Sequence, residues 1–325
     1  MLYSSRRTVL SLTSVAVNAR CCWSVVRCVA GGARRHTRCC CCAAPAPPAR
    51  TVVCAEAGAW LAAQPSLPCV VTSLPDVTEL RNPPLSISSA AEYSLWFTAM
   101  VEVLVSKLRR NCVAVFFQTD AVCGEAFIDK AALCAAGAAQ AGGAPFFHKI
   151  ALRAPLGALK RSTPGFTHVL CFVGPSGLDA PVSSAARGAE RCWPDAFARG
   201  ATAWPRGIGA DAARLAAAFL RDGLGADTML NPFCGTGITL AAANDAGMDA
   251  LGVDLSPKRA RHARLMQLVA SGDGGALVPA RSSDRVVGRG GASAERAAPA
   301  ADSDALPVGS HEATGDGRTA CAMPG

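Results

Sequence analysis

Residues 229–254 read MLNPFCGTGITLAAANDAGMDALGVD. An apolar run leads into Asn231-Pro232-Phe233-Cys234-Gly235-Thr236-Gly237, and a helical pattern follows at once. Gly235 and Gly237 permit a sharp turn and let a ligand approach where a Cβ would stand in the way. The helix behind them opens with free N–H groups. A crevice of this kind, beyond the strand ends of an open α/β sheet, is where nucleotides bind. A second apolar run ends in Asp254, 17 residues after Gly237. A carboxylate at such a tip can accept both hydroxyls of a ribose. The glycines alone carry little information; the order strand, turn, helix, strand, acid is specific.

The elements that must position this turn lie between residues 51 and 270. Short apolar runs alternate there with helical patterns, the signature of an α/β fold with a mostly parallel sheet. Strands are predicted at 51–53, 69–72, 113–118, 147–152, 167–173, 227–230 and 250–253. Helices are predicted at 55–63, 90–110, 128–141, 208–221, 237–246 and 257–268. That is a sheet of about seven strands.

The flanks differ from this body. Residues 1–50 hold eight arginines and no acid, leaving 24 Lys+Arg against 24 Asp+Glu in 51–325. The net charge of +8 therefore belongs to the leader, and the body carries no basic excess that implies strong steering of nucleic acid. A leader rich in Arg, Ser, Ala and Cys has the composition of a mitochondrial transit peptide, with a disordered extension as the alternative. Seven of the 16 cysteines sit in it, including the run Cys39-Cys40-Cys41-Cys42; the others are scattered singly. Buried or incidental thiols are expected, with no metal site and no disulfide framework. Residues 271–325 are rich in Gly, Ala, Ser, Asp and Arg, lack aromatics and are expected to be disordered. The expected division is a leader at 1–50, a folded domain at 51–270 and a tail at 271–325. No charge-free apolar stretch reaches the length of a membrane span.

The stretch 229–254 resembles the nucleoside-binding motif of class I S-adenosylmethionine-dependent methyltransferases. Asn-Pro-Phe-Cys-Gly-Thr-Gly is most similar to the Asp-Pro-Phe-x-Gly-x-Gly form of amino-methyltransferases acting on nucleic acids. Leu240 stands where a dinucleotide-binding G-x-G-x-x-G turn would carry its third glycine. The resemblance implies that S-adenosyl-L-methionine binds at Asn231, Pro232, Phe233, Cys234, Gly235, Thr236, Gly237 and Asp254. It also implies that the stretch 207–220, opening at Gly207, leans over the methionine end. Asn231 departs from the family's Asp and cannot charge-pair with a sulfonium or amino group.

The family's catalytic D/N/S-P-P-Y/F motif follows its fourth strand. Ser73-Leu74-Pro75-Asp76 fits that place, but it precedes the cofactor motif in the chain. The resemblance therefore implies a Rossmann-like, seven-stranded methyltransferase sheet in circularly permuted order, as in the β-type DNA and RNA amino-methyltransferases. In that order 51–53 is the third strand, 69–72 the fourth, 113–118 the fifth and 227–230 the first. Ser73 Oγ and the Leu74 carbonyl are then expected to hold the methyl acceptor, and Asp76 to take or share its proton. Leu74 replaces the family's first proline and Asp76 its stacking aromatic. Tyr93 and Phe117 are candidates to supply that face.

Other polar residues rank lower. Gln118, Asp120, Asp129 and Lys130 follow the fifth strand. His148, Lys149 and His168 open the next two, without metal-ligand spacing. Lys258, Arg259, Arg261, His262 and Arg264 form a basic helix, and Glu56 lies near the adenine end. The expected activity is methyl transfer to an amino group of a nucleic acid, RNA before DNA if the leader is mitochondrial. The alternatives are a protein or small-molecule methyltransferase, or an inactive cofactor-binding scaffold.

Overall fold

The computed structural model describes residues 46–81, 83–158, 164–270 and 277–281. The sheet strands, in chain order, are β1 (Arg50–Cys54), β2 (Cys69–Thr72), β3 (Val113–Gln118), β6 (Ala144–Leu152), β7 (Phe166–Val173), β8 (Ala196–Ala198), β9 (Thr228–Asn231) and β10 (Asp249–Asp254). Two further pairs lie outside it among the described residues: β4 (Ala121–Cys123) with β5 (Ala126–Ile128), and β11 (Met266–Ala270) with β12 (Leu277–Arg281). The helices are α1 (Ala57–Ala62), α2 (Ala90–Ser106), α3 (Lys130–Gln140), α4 (Ala180–Arg191), α5 (Ala210–Ala218), α6 (Ile238–Asp245) and α7 (Pro257–Leu265).

The sheet runs β1-β10-β9-β2-β3-β7-β6-β8. The first five strands are mutually parallel, β7 is antiparallel to both neighbours, and β8 pairs in parallel with β6. The tips Asp254, Asn231, Thr72 and Gln118 thus leave the same edge of the sheet. Strands β2 and β3 are buried along their whole length, as expected of a parallel sheet covered on both faces.

Period-two alternation divides two cores between those faces. Val113, Val115 and Phe117 pack with α4, α5 and α6, whereas Ala114 and Phe116 pack with α1, α2 and α3. Local sequence sets the helix starts. Ser89 accepts from Glu92 N at 3.2 Å and Glu92 Oε2 accepts from Ser89 N at 3.1 Å, a reciprocal cap that opens α2. Asp129 caps α3 through Ala132 N, and Ser256 with Pro257 opens α7.

Three expectations are corrected here. Among the described residues the sheet has eight strands rather than seven, because Ala196–Ala198 adds an edge beside β6. That strand and α4 escape the pattern because they are short or small and polar; Ala186 is the one buried residue of α4. The last helix ends at Leu265 instead of 268. Met266 and Leu268 are buried and Gln267 is half-buried, which is strand alternation, and Val278–Pro279 lie opposite Leu268–Val269. The disordered tail expected from residue 271 is therefore interrupted by an ordered strand at Leu277–Arg281; the rest of it lies outside the described residues. The leader falls outside them too, except that Ala46 onward is described and β1 already begins at Arg50. The Arg50 guanidinium donates to Asn244 Oδ1 and to the carbonyls of Ala263 and Met266, tying the edge strand to α6 and α7.

Candidate active site

The turn after β9 is built by its backbone. Gly237 has φ +89°, and a Cβ there would stand 2.6 Å from Ala263 Cα. Its bareness lets α7 pack against the start of α6. Gly235 has φ +54°, and a Cβ there would meet no atom within 4 Å. Its open side is the approach expected for a ligand. Asp254 lies beside it, buried at 6 % exposure, with Oδ2 accepting from Gly235 N at 3.0 Å. Oδ1 accepts from Ser256 N at 2.8 Å and from Arg259 Nε at 2.9 Å. A carboxylate has about four acceptor positions, so three donors leave one for an incoming hydroxyl. A second hydroxyl would have to displace Arg259, whose side chain is about half exposed.

The side chains of Asn231, Pro232 and Cys234 in this turn are buried, and those of Phe233 and Thr236 are half-buried. Asn231 is 2 % exposed. Its Oδ1 accepts from Thr72 Oγ1 at 2.8 Å and Phe233 N at 3.0 Å, and its Nδ2 donates to Thr239 Oγ1 at 2.9 Å. Asn231 therefore braces two strand tips and does not offer its amide to a ligand, which corrects the reading of it as a contact residue. Pro232 is buried, and Phe233 packs edge-on to Trp96. Cys234 is buried against Gly252, and burial with the nearby Asp254 charge pushes its thiol up to about 12, so it stays protonated.

The neighbouring turn, after β2, is built by distant partners. Leu74 is 3 % exposed and sits in the α2–α3 core, so its side chain cannot touch substrate. Pro75 O accepts from Tyr93 Oη at 2.8 Å. Tyr93 is fully buried; burial and the Asp76 charge push its phenol above the ordinary range and keep it a donor. It anchors the loop and offers no stacking face. Asp76 is ion-paired with Lys130, whose side chain is 2 % exposed, and its N–H donates to Glu79 Oε2 at 2.9 Å. The carboxylate expected to take a proton is thus neutralised by an ammonium and holds the loop.

Ser73 lines a small cleft together with Phe117, Thr119, Thr167, Arg199 and Gly207. Ser73 and Gly207, 134 residues apart in the chain, are thereby brought together. Phe117 borders the cleft but is 2 % exposed and packed in the core, so it offers no free stacking face, and Arg199 and Arg206 are wall residues that the sequence pattern did not single out. Residues 231–237 and Asp254 are not part of this wall. The two halves of the site meet instead through the Thr72–Asn231 hydrogen bond between adjacent strands.

Several of the lower-ranked candidates find structural partners. Glu56 caps α1 through Gly58 N and Ala59 N. Lys149 is buried between Glu190, Asp195 and the Trp193 carbonyl, which locks α4 and β8 to β6. Asp120 accepts from Lys130 N at 3.0 Å and lies 3.1 Å from His168 Nε2, and His168 Nδ1 lies 3.0 Å from His148 Nε2. Gln118 is 1 % exposed, and neither its Oε1 nor its Nε2 has a hydrogen-bond partner among the described residues. Arg264 donates to Val52 O. No cluster of His, Cys, Asp or Glu fit to hold a metal occurs among the described residues, and no described helix is long and apolar enough to cross a membrane.

No protein-family model matches the chain, and no curated protein matches it. Solved structures do. A Thermus thermophilus protein assigned as a DNA modification methylase aligns at 21 % identity and TM-score 0.50, covering 66 % of this chain and 92 % of its own. The PvuII DNA methyltransferase, cytosine-N4-specific, aligns at 15 % identity and TM-score 0.50, covering 67 % of this chain and 86 % of its own. The chain has the mixed α/β fold of these methyltransferases.

Proposed function

We propose that this protein is an S-adenosyl-L-methionine-dependent methyltransferase acting on an amino group of a nucleic acid. The observation that carries the reading is the open side of Gly235 beside the buried Asp254, on the same sheet edge as the Ser73 cleft. The bare glycine and the spare acceptor position of Asp254 fit a nucleoside: a flat base passes where a Cβ would block it, and a ribose hydroxyl donates to the acid. The strand order supports a permuted sheet, with β9, β10, β1, β2 and β3 as first to fifth strands and β6 and β7 as the last two. The break in chain order falls between α7 and β1. The cofactor supplies a methyl group on a sulfonium, already a good leaving group. What remains for the chain is alignment and proton handling. In this reading Ser73, which follows β2 and lines the cleft, holds an acceptor N–H through its Oγ. Lys130 and Tyr93 hold the loop that carries Ser73, and Asp76 positions it through Lys130. RNA is favoured over DNA on the transit-like composition of the leader.

The test is transfer of labelled methyl from the cofactor by full-length protein to separate pools of RNA, DNA and protein. Label in nucleic acid, lost in Ser73→Ala, is expected. Label confined to the protein pool would contradict the substrate, and label in none would contradict the activity. Buried Leu74 and ion-paired Asp76 favour a second reading, a cofactor-binding scaffold without turnover; cofactor binding without any labelled product would support it.

A further inference from the structure

The wall of the Ser73 cleft formed by the 199–207 loop carries a concentration of positive charge that the activity above does not use. Arg199 Nη1 donates to Pro205 O at 3.1 Å and Gly207 O at 3.3 Å, and Arg153 Nη2 reaches the same Pro205 carbonyl at 3.4 Å. Two guanidinium groups thus converge on one carbonyl. Arg206 lines the cleft beside Arg199 and donates to Thr78 Oγ1 at 3.3 Å. No ion pair involves any of these arginines among the described residues, and no carboxylate lines the cleft. Of the nearby acids, Asp76 is paired with Lys130, and Asp211 stands against Gly200 at the start of α5. Arg153 Nε is buried and makes no hydrogen bond among the described residues. Burial holds the Arg153 and Arg199 guanidinium groups below their ordinary range; at Arg153 the Asp76 charge opposes the shift and the Arg206 charge adds to it, and at Arg199 the Arg153 charge adds to it. Each guanidinium has five donors in a planar fork, so the backbone bonds leave most of them open. Trp204, in the same turn, is 61 % exposed.

We propose that Arg199 and Arg206 on the cleft wall, with Arg153 joined to Arg199 through the Pro205 carbonyl, form a phosphate-binding site that takes a phosphodiester of the nucleic-acid substrate, with Trp204 as the face on which an unpaired base stacks. Guanidinium forks match phosphate oxygens, and an exposed aromatic beside arginines is the surface that single strands use. The site is local, which reconciles it with a body of no net basic excess. This rests on the nucleic-acid reading for its ligand, while its chemistry, a phosphate group, is independent of it.

The test is fluorescence anisotropy of full-length protein with a labelled single-stranded oligonucleotide, as RNA and as DNA, at about 50 and about 200 mM salt. Arg206 is exposed and has one side-chain hydrogen bond, so Arg206→Gln should fold. It should weaken binding about fivefold and flatten the plot of log affinity against log salt by about 0.7, the value for one phosphate contact on a single strand. Arg206→Lys should recover most of the affinity, and Trp204→Ala should lose about fivefold or more, in the range of one stacked base. Equal affinity and slope in wild type and Arg206→Gln would overturn the site and leave the nucleic-acid reading standing. If wild type binds the cofactor calorimetrically but neither oligonucleotide, the nucleic-acid reading fails. The site is then read by phosphorus NMR of inorganic pyrophosphate: line broadening lost in Arg206→Gln supports it, and no broadening in wild type overturns it.

Discussion

The turn after β9 and the turn after β2 leave the same sheet edge side by side, joined by the Thr72–Asn231 hydrogen bond. In the first, the shape comes from residues within the turn: two glycines at positive φ, with the Asp254 carboxylate closing on Gly235 N. In the second, the shape comes from side chains far along the chain: the Tyr93 hydroxyl on Pro75 O and the Lys130 ammonium on Asp76. The difference teaches what a sequence can display. A backbone-defined site advertises itself by residue type and spacing. A site held by long-range partners shows only its own four residues, and neither the core burial of the Leu74 side chain nor the Lys130 ammonium on Asp76 has a sign in them.

Variants can break this contrast, and the largest effect belongs to the first turn. Gly237→Val should destabilise by more than about 3 kcal/mol, because its Cβ would meet Ala263 backbone and its φ is left-handed. Gly235→Ala should lower stability by only about 1 kcal/mol, since its Cβ enters open space. Denaturant titration of the two reads the difference, and equal losses would mean the glycines share one role.

In the second turn, Asp76→Ala strands a buried ammonium and should destabilise by about 3 kcal/mol. It should leave cofactor affinity unchanged and depress turnover. Adding Lys130→Met should restore most of the stability; no recovery in the double variant would show that Asp76 acts by something other than this pair. Tyr93→Phe should lower stability by about 1 kcal/mol through the unsatisfied Pro75 carbonyl, read from thermal melts.

The smallest effect is on pH. Burial and the neighbouring His168 hold His148 below the ordinary imidazole range. The unfolded chain therefore binds the extra proton first, and stability falls as pH drops below about 6.5, the unfolded imidazole value. His148→Gln should flatten that slope, and an unchanged slope would move the titration elsewhere.

The same contrast explains how much of the fold was legible. The interior strands could be read because uninterrupted apolar runs such as VVT and VAVFFQ are what two covered faces demand. The strand at Ala196–Ala198 and the hairpin of β4 and β5 could not, because three-residue runs are too short to carry a period; helix α4 was missed because its residues are mostly small and polar and only Ala186 is buried. The strand at Met266–Ala270 was hidden because a helical start at Pro257 continues naturally on paper to 268. In the candidate site, the positive-φ turn at Gly235 and Gly237 with Asp254 beside it was legible by residue type. Arg199 and Arg206 on the cleft wall were not, since only the fold brings them there.

The central claim is that the bare side of Gly235, next to Asp254, receives an adenosine-bearing sulfonium. Isothermal titration of S-adenosyl-L-methionine into wild type and Gly235→Val, with both shown folded by circular dichroism, tests it most directly. Saturable binding by wild type that vanishes in the variant is the result expected. Equal affinity in the two proteins, or no heat in either, would contradict it.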